Sequence, residues 1–453
     1  MLGPSFALAV VLGLPGSPDP TALVGQLGSD RYADRESAEM ALTKLGRAAL
    51  PALRVGLGAK DPEIRGRATA VVGRIERASL LQPTPITLNF RDAPLSEAIR
   101  TINRRSGLAI RLVAEDNPSW SGRRLTLQSD EPIPFWKAID AICEAGGLHY
   151  DLGFPSTTGP GEAVFPLFDG NSPTPGRVSD SGPFRIQLAS VHHQSEVVLE
   201  HLRPTPPARS SGVTPTPETS LTPGQSRSSK QLYIQLAVAS EPRLSVTQNG
   251  AVKLSSAVDD RGRSLLLPDG ENTVHRSSGY FGINPTALVR LRVDLAYADP
   301  PGRRIGRIRG SIPVIVATRK PDPIEVPLDG SLGNTHRNRE VELTIWHIRP
   351  VVGGQSTAIE LTLKSLVATR STDEVDPFPL RPESPEQQLE ILDSRGEVLT
   401  WFPASSFFNG DETRLTVNLS TKGPMAVPAS VRYYGILRSA TEIPFEFQDV
   451  PMP

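Results

Sequence analysis

Residues 86–112 read ITLNFRDAPLSEAIRTINRRSGLAIRL, and residues 125–152 read LTLQSDEPIPFWKAIDAICEAGGLHYDL. In the first stretch Ile86–Phe90 alternates as a strand does. Pro94 then opens a helical spacing of Leu95, Ala98, Ile99 and Ile102. Ser106-Gly107 stops that helix, and Leu108–Leu112 reads as a second strand. The second stretch has the same order: a strand at Leu125–Leu127, a helix with Phe135, Ala138, Ile139 and Ile142, a stop at Gly146-Gly147, and a strand at Leu148–Leu152. Pro94/Pro134, Ala98/Ala138, Ile99/Ile139, Ile102/Ile142, Gly107/Gly147 and Leu108/Leu148 pair at an offset of 40. Glycine suits each helix end because it takes the left-handed conformation without steric cost. Two βαβ-like halves of this size predict a split sheet over 84–152 with both helices on one face. Cys143 follows Ile142 in the second helix and reads as a small buried hydrophobe.

The run "strand, Asp92-Ala93-Pro94-Leu95-Ser96-Glu97-Ala98-Ile99, helix, Ser106-Gly107-Leu108, strand" resembles the short N-terminal domain shared by secretins and TonB-dependent receptors. That resemblance implies a protein-binding module, one that stacks into rings or contacts a signalling partner and has no catalytic residues. No secretin pore or barrel segment accompanies it here, so the chain does not read as a channel.

Upstream, Ala38, Ala41, Leu42 and Leu45 share a helical face, as do Ala68, Val71, Val72 and Ile75, at an offset of 30 that also aligns Arg35 with Arg65. Ala48–Leu53 forms another helix, and Asp61-Pro62 is an N-cap followed by proline at the first helical position. A fixed period of paired helices is the mark of an α-solenoid. ADRESAEMALTKLGRAALPALRVGL and DPEIRGRATAVVGRIE resemble HEAT repeats, of the short kind found in exported planctomycete-type proteins. About one and a half repeats are expected over 20–80, which implies a docking surface or a helical cap on the next domain. Before them, Phe6–Leu14 and Pro15-Gly16-Ser17 read as a signal peptide over 1–19, although no Lys or Arg precedes the run. A buried N-terminal helix is the alternative. Nine residues are too few to span a bilayer.

Composition sets the outer limits. The chain has 453 residues with 48 Lys+Arg against 49 Asp+Glu, which excludes a polybasic coat and an acidic tail. It has 44 Pro and 38 Gly, so it is loop-rich but below the level of a disordered chain. One cysteine excludes an intramolecular disulfide and a Cys-based zinc site.

Downstream, 153–182 reads as a Pro/Gly/Ser linker and 203–229 as a disordered insert. Around them run strands of period two: Phe184-Ile186-Leu188, Leu232-Ile234-Leu236-Val238, Val289-Leu291-Val293-Leu295, Val341-Leu343-Ile345, Ile359-Leu361-Leu363, Leu415-Val417-Leu419 and Phe445-Phe447. Val258–Leu265 parallels Leu392–Leu399 at an offset of 134, each copy holding an Asp…Arg-Gly turn. Two antiparallel β-sandwiches are expected, 183–328 and 336–453, with their boundary in Asp329–Asn338. The closing IPFEFQDVPMP resembles planctomycete-type envelope proteins, which brings no assigned activity. The expected class is therefore multidomain α+β: a short HEAT-like segment, a small split βαβ-type domain and two antiparallel sandwiches.

No P-loop, nucleophile elbow, dinucleotide fingerprint or H-E-x-x-H is present. His192-His193 points its rings to opposite faces of a strand, which is poor geometry for one metal. Asp259-Asp260 fits a hairpin turn without calcium. No catalytic, metal or cofactor site is assigned. Arg303, Arg304, Arg307 and Arg309 could form a basic hairpin that meets an anionic partner, or the charge of an edge strand that blocks aggregation. The expected protein is exported, periplasmic or secreted, non-enzymatic, and acts as a scaffold that binds a protein partner in the cell envelope. No transmembrane span, cofactor or nucleic-acid partner is expected, and self-association is compatible with the reading. The rivals are an envelope polysaccharide hydrolase with two carboxylates in a sandwich cleft and a nucleic-acid-binding regulator using 303–309.

Overall fold

The computed structural model describes residues 18–113, 120, 122–152, 156–157, 163–170, 176–199, 226–268, 288–320, 323–338, 341–350, 357–366, 388–409, 411–419 and 427–453. The chain divides after Gln82 into two compact units. It is a multidomain α+β protein in which the sheets are mostly antiparallel. The segment expected to be a signal peptide lies outside the described residues up to position 17.

Among the described residues the first unit holds four α-helices: α1 (Pro20–Gln26), α2 (Tyr32–Leu45), α3 (Leu50–Gly56) and α4 (Pro62–Leu80). Asp19 and Asp61 cap α1 and α4, accepting from the Thr21 N–H at 3.0 Å and the Glu63 N–H at 2.8 Å. The helices begin 30 residues apart in pairs, so two whole helix pairs are present rather than one and a half. The extra helix, α1, escaped notice because only seven residues carry it. The repeat is also chemical. Arg35 donates to the carbonyls of Ser29 and Asp30, and Arg65 donates to those of Ala59 and Lys60, fastening the same turn in each copy. Leu27, Ala38, Leu42, Leu53, Ala68 and Val71 are fully buried in the shared core.

The second unit opens with the α/β module. Its elements are β1 (Pro85–Ile86), β2 (Asn89–Pro94), α5 (Leu95–Ser106), β3 (Ile110–Leu112), β4 (Arg124–Gln128), β5 (Ile133–Pro134), α6 (Phe135–Gly146), β6 (Leu148–His149), β7 (Ser156–Thr157) and β8 (Ala163–Asp169). The helices match the offset of 40, and Gly107 and Gly147 close them at φ 69° and 62°. Leu95, Ala98, Ile99 and Ile102 share one core with Phe135, Ala138, Ile139 and Ile142. The returning strands β3 and β6 are shorter than expected, and the strands form three small groups, β1–β5, β2–β4 and β3–β8–β6 with β7 also on β8. Strand β8 lies in the expected linker 153–182. It is the middle strand, parallel to β3 and antiparallel to β6, so it joins the two halves. Pro166 and the surrounding Gly/Pro/Ser composition hid it, while Phe165 and Leu167 pack into the module core.

The remainder contains β9 (Val178–Ser181), β10 (Phe184–Leu199), β11 (Ser226–Ser240), β12 (Ser245–Gln248), β13 (Lys253–Asp259), β14 (Leu288–Leu295), β15 (Arg304–Arg319), β16 (Ile324–Pro327), β17 (Thr335–Arg337), β18 (Val341–Pro350), β19 (Thr357–Ser365), β20 (Leu389–Asp393), β21 (Trp401–Asn409), β22 (Glu412–Leu419), β23 (Pro428–Tyr433) and β24 (Ile436–Pro451). Strand β9 also falls in the expected linker, and β11 begins at Ser226, inside the expected insert. Residues 203–225 of that insert lie outside the described residues. A first sandwich-like pair of sheets has the order β14-β11-β10-β9 and β12-β15-β13 with β24 on the other side of β15. A second has β17-β18-β19-β22-β21 and β16-β23-β20, which bury Leu343, Leu361, Val417, Ile391 and Val431 in one core.

The duplication seen at the Asp…Arg-Gly turns extends through both pairs of sheets. Leu236 faces Leu188 and Leu291 across its ladders, as Leu361 faces Ile345 and Leu415, and a bulge follows Leu188 and Ile345 alike. The copies are not separate at Asp329–Asn338, however. β16, which follows β15, pairs with β23 of the second copy. β24, which follows β23, pairs back along β15 from Arg319 to Arg304. Each copy thus hands its next strand to the other. The turn patterns on both sides of the boundary read as local, and a sequence pattern records which face a residue takes but not which sheet receives the strand.

Candidate functional site

The arginines 303–309 do not form a hairpin. Ile305, Ile308, Ile312, Val314 and Val316 are all buried, which carries β15 straight through as one strand. Nor is β15 an edge, because β13 and β12 flank one side and β24 the other. Arg303, Arg304, Arg307 and Arg309 are exposed. The Arg303 N–H donates to the Asp260 carboxylate at 3.2 Å, Arg304 lies 3.9 Å from Asp449, and Arg309 lies 4.0 Å from Glu446. The outer face is therefore mixed in charge, which lowers its attraction for a polyanion.

Asp259 and Asp393 sit in the duplicated turns with matching partners. Asp259 Oδ1 accepts the N–H groups of Arg261 and Arg263 at 2.9 and 2.8 Å, and Asp393 Oδ1 accepts those of Arg395 and Glu397 at 2.8 and 2.9 Å. Burial alone would raise the Asp259 carboxyl, but these N–H groups and the Arg263 guanidinium hold it below the usual range. The Glu397 N–H, with Arg395, does the same for Asp393. Both carboxylates cap the backbone N–H groups of their own turns. Among the described residues no group of three or more His, Cys, Asp or Glu could hold a metal. A groove of about 720 Å3 runs past Lys253, Pro313 and Glu442. The one carboxylate among its described lining residues, Glu442, binds Lys253 and Ser311, which hold its carboxyl below the usual range. His192 stacks on Tyr233 at 4.6 Å and His193 on Tyr297 at 4.9 Å, so the two rings go separate ways.

Two buried charges, neither anticipated from sequence, fasten the α/β module onto the first sandwich. Arg185 on β10 is 1% exposed. Its guanidinium is bidentate to Asp180 of β9, with both contacts at 2.6 Å, and to Asp140 of α6 at 2.6 and 2.7 Å. It also donates to the Tyr150 hydroxyl and lies 5.0 Å from the Trp136 ring centre. Burial opposes the charge, yet the two carboxylates overcome it and hold the guanidinium protonated. Trp136 Nε1 donates to the Pro183 carbonyl at 3.1 Å beside this cluster. Glu241, wholly buried, accepts from the N–H and hydroxyl of Thr84 and from Arg243 at 3.0 Å. In the sequence Arg185 alternates with Phe184 and Ile186 and so reads as a solvent-facing residue. The covering helix that makes it internal comes 40 residues earlier and could not be placed. Cys143 is buried near this cluster, and burial pushes its thiol up to about 12.

The helical unit presents Tyr32, Met40 and Val55 to solvent, at 64%, 65% and 78% exposure. No described helix is long and apolar enough to cross a membrane.

No family model matches the chain, and no curated protein does. Among solved structures, "the conserved domain protein from Bacillus anthracis" aligns at 8% identity over 60% of this chain and 89% of its own, with a TM-score of 0.14. A likeness that low carries no argument about fold or function.

Proposed function

We propose that this protein is an exported, non-enzymatic scaffold that binds a protein partner in the cell envelope. The observation that carries the reading is the pair of buried clamps at Arg185 and Glu241. They tie the α/β module to the first sandwich through two of the buried charges. A charge cluster so engaged serves positioning rather than proton transfer. The HEAT-like helical unit and the secretin-N-like module are the contact surfaces in this reading, and the two strand-exchanged sandwiches are the platform beneath the module. Exposed Tyr32, Met40 and Val55 on the helical unit are apolar side chains of the kind that partner surfaces cover.

The test is purification of the tagged chain from fractionated native cells, with partners and the mature N-terminus read by mass spectrometry. A processed chain holding a stoichiometric envelope protein supports the scaffold. An unprocessed cytosolic chain removes the export premise. A processed chain without a partner, which releases sugar from envelope polysaccharide, replaces the scaffold with a hydrolase.

A further inference from the structure

Strand β21, WFPASSFFN, is an outer strand of its five-stranded sheet, paired among the described residues only with β22. Sheet edges are ordinarily guarded by charge, because unpaired N–H and C=O groups invite another strand. The other described edge strands longer than four residues obey this: β2 has Arg91 and Asp92, β4 Arg124, β13 Lys253 and Asp259, β14 Arg290, Arg292 and Asp294, β20 Glu390 and Asp393, and β24 four charged residues. In β21 there is no Asp, Glu, Lys or Arg along nine residues, and Phe402, Phe407 and Phe408 are 50%, 64% and 50% exposed.

The pairing to β22 fixes the faces. Phe402, Ser405 and Phe407 lie opposite Asn418, Thr416 and Arg414 on the outer face. Trp401, Pro403, Ser406 and Phe408 lie opposite Leu419, Val417, Leu415 and Thr413 on the inner one, of which Trp401 alone is buried. The register shift between Pro403 and Ser405 puts Phe402 and Phe407 on the same side although they are five residues apart. A regular strand would place them on opposite sides. Two copies of β21 run antiparallel about a two-fold axis between Ala404 and Ser405 therefore match face to face. Phe402 meets the second copy's Phe407, Trp401 its Phe408, and Pro403 its Ser406. The register centred on Ser405 would instead set an outer Phe402 against an inner Phe408. The bulge thus selects one self-complementary pairing, made of aromatic cross-strand pairs with no like charges opposed.

We propose that β21 is a homodimer edge, and that a second copy of this chain continues the five-stranded sheet across it in that register. Asp411 and Glu412, which follow the two phenylalanines, disfavour an anionic lipid surface as the occupant.

The test uses the full chain. Sedimentation velocity over a wide concentration range should show a reversible monomer–dimer equilibrium. Phe407→Lys should abolish it while leaving the circular dichroism spectrum unchanged, since that side chain is largely in solvent. For register, the double variant Phe402→Cys with Phe407→Cys should form a covalent dimer on oxidation, and neither single variant should. Within one chain these two positions are too far apart along the strand to bridge, and Cys143 is buried. A wild-type chain that stays monomeric overturns the proposal, as does a dimer that survives Phe407→Lys. Single variants that cross-link as readily as the double one overturn the register. Co-sedimentation of a monomeric chain with anionic phospholipid vesicles assigns the edge to a membrane and also overturns it.

Discussion

Replacing Arg185 by methionine keeps most of the side chain's length and removes its charge. Asp140 and Asp180 would then face each other with no cation between them, beside a Trp136 ring that has lost its guanidinium. Breaking a buried ion pair by deleting one partner costs roughly 3–5 kcal/mol. Here the two carboxylates keep 36% and 31% exposure, so water recovers part of the loss and the low end, about 3 kcal/mol, is expected. The sole cysteine offers a local assay. Cys143 is 8% exposed on the helix that carries Asp140, and its thiol is pushed up to about 12, so the closed protein should react slowly with a thiol reagent. If labelling requires the module to open, about 3 kcal/mol raises its rate by roughly a hundredfold. Adding Asp140→Asn and Asp180→Asn to Arg185→Met removes the unpaired charges and should recover about half of that loss. A labelling rate within about threefold of wild type for Arg185→Met would refute the clamp, and so would a triple variant no better than the single one.

Other consequences follow from the same contacts. Deleting 436–453 strips β24 from β15, so limited proteolysis should attack the first sandwich, at 183–319, and spare the second, whose core holds no β24 residue. Two independent sandwiches would lose only the second. In the helical unit, a Cβ at Gly28 would sit 2.7 Å from Ile64 Cγ1, whereas its repeat counterpart Gly58 meets only a carbonyl at 3.5 Å. Gly28→Ala should therefore destabilise that unit by about 1–3 kcal/mol, and Gly58→Ala should not, as read by thermal melting. The carboxyls of Asp259 and Asp393 are depressed, so their contribution to stability is complete above the ordinary carboxylate range and is lost as pH falls through the lower folded values. The double variant Asp259→Asn with Asp393→Asn should accordingly be less stable than wild type at neutral pH and converge with it in acid, once pH falls below the depressed folded values, in urea titrations.

Local order was legible because it is written in neighbouring residues. The offset of 40 located α5 and α6, the offset of 30 located α2 and α4, and the Asp…Arg-Gly turns revealed a duplication that the ladders then extended. What escaped was decided at long range. Arg185 reads as solvent-facing until α6 covers it, and β8 reads as linker until β3 and β6 are found to need a middle strand. The arginines 303–309 suggested a hairpin because Gly306 and the charge pattern resemble a turn. The buried isoleucines on either side keep the strand straight, and β24, nearly 130 residues away, turns the supposed edge into an interior position. The same blindness concealed the strand exchange, since β16 and β24 each have a sound local pattern and give no sign of which sheet takes them.

The scaffold reading is tested most directly by comparing partner recovery from native envelope fractions for the wild-type chain and a Tyr32→Glu, Met40→Glu, Val55→Glu variant of the helical unit. These side chains are exposed, so the variant should fold and be exported normally. The account expects the wild type to retain a stoichiometric envelope protein and the variant to lose it, with Cys143 labelling unchanged. Equal recovery from both chains would contradict the helical unit as the contact surface. A well-folded, processed wild-type chain that retains no partner would contradict the scaffold itself.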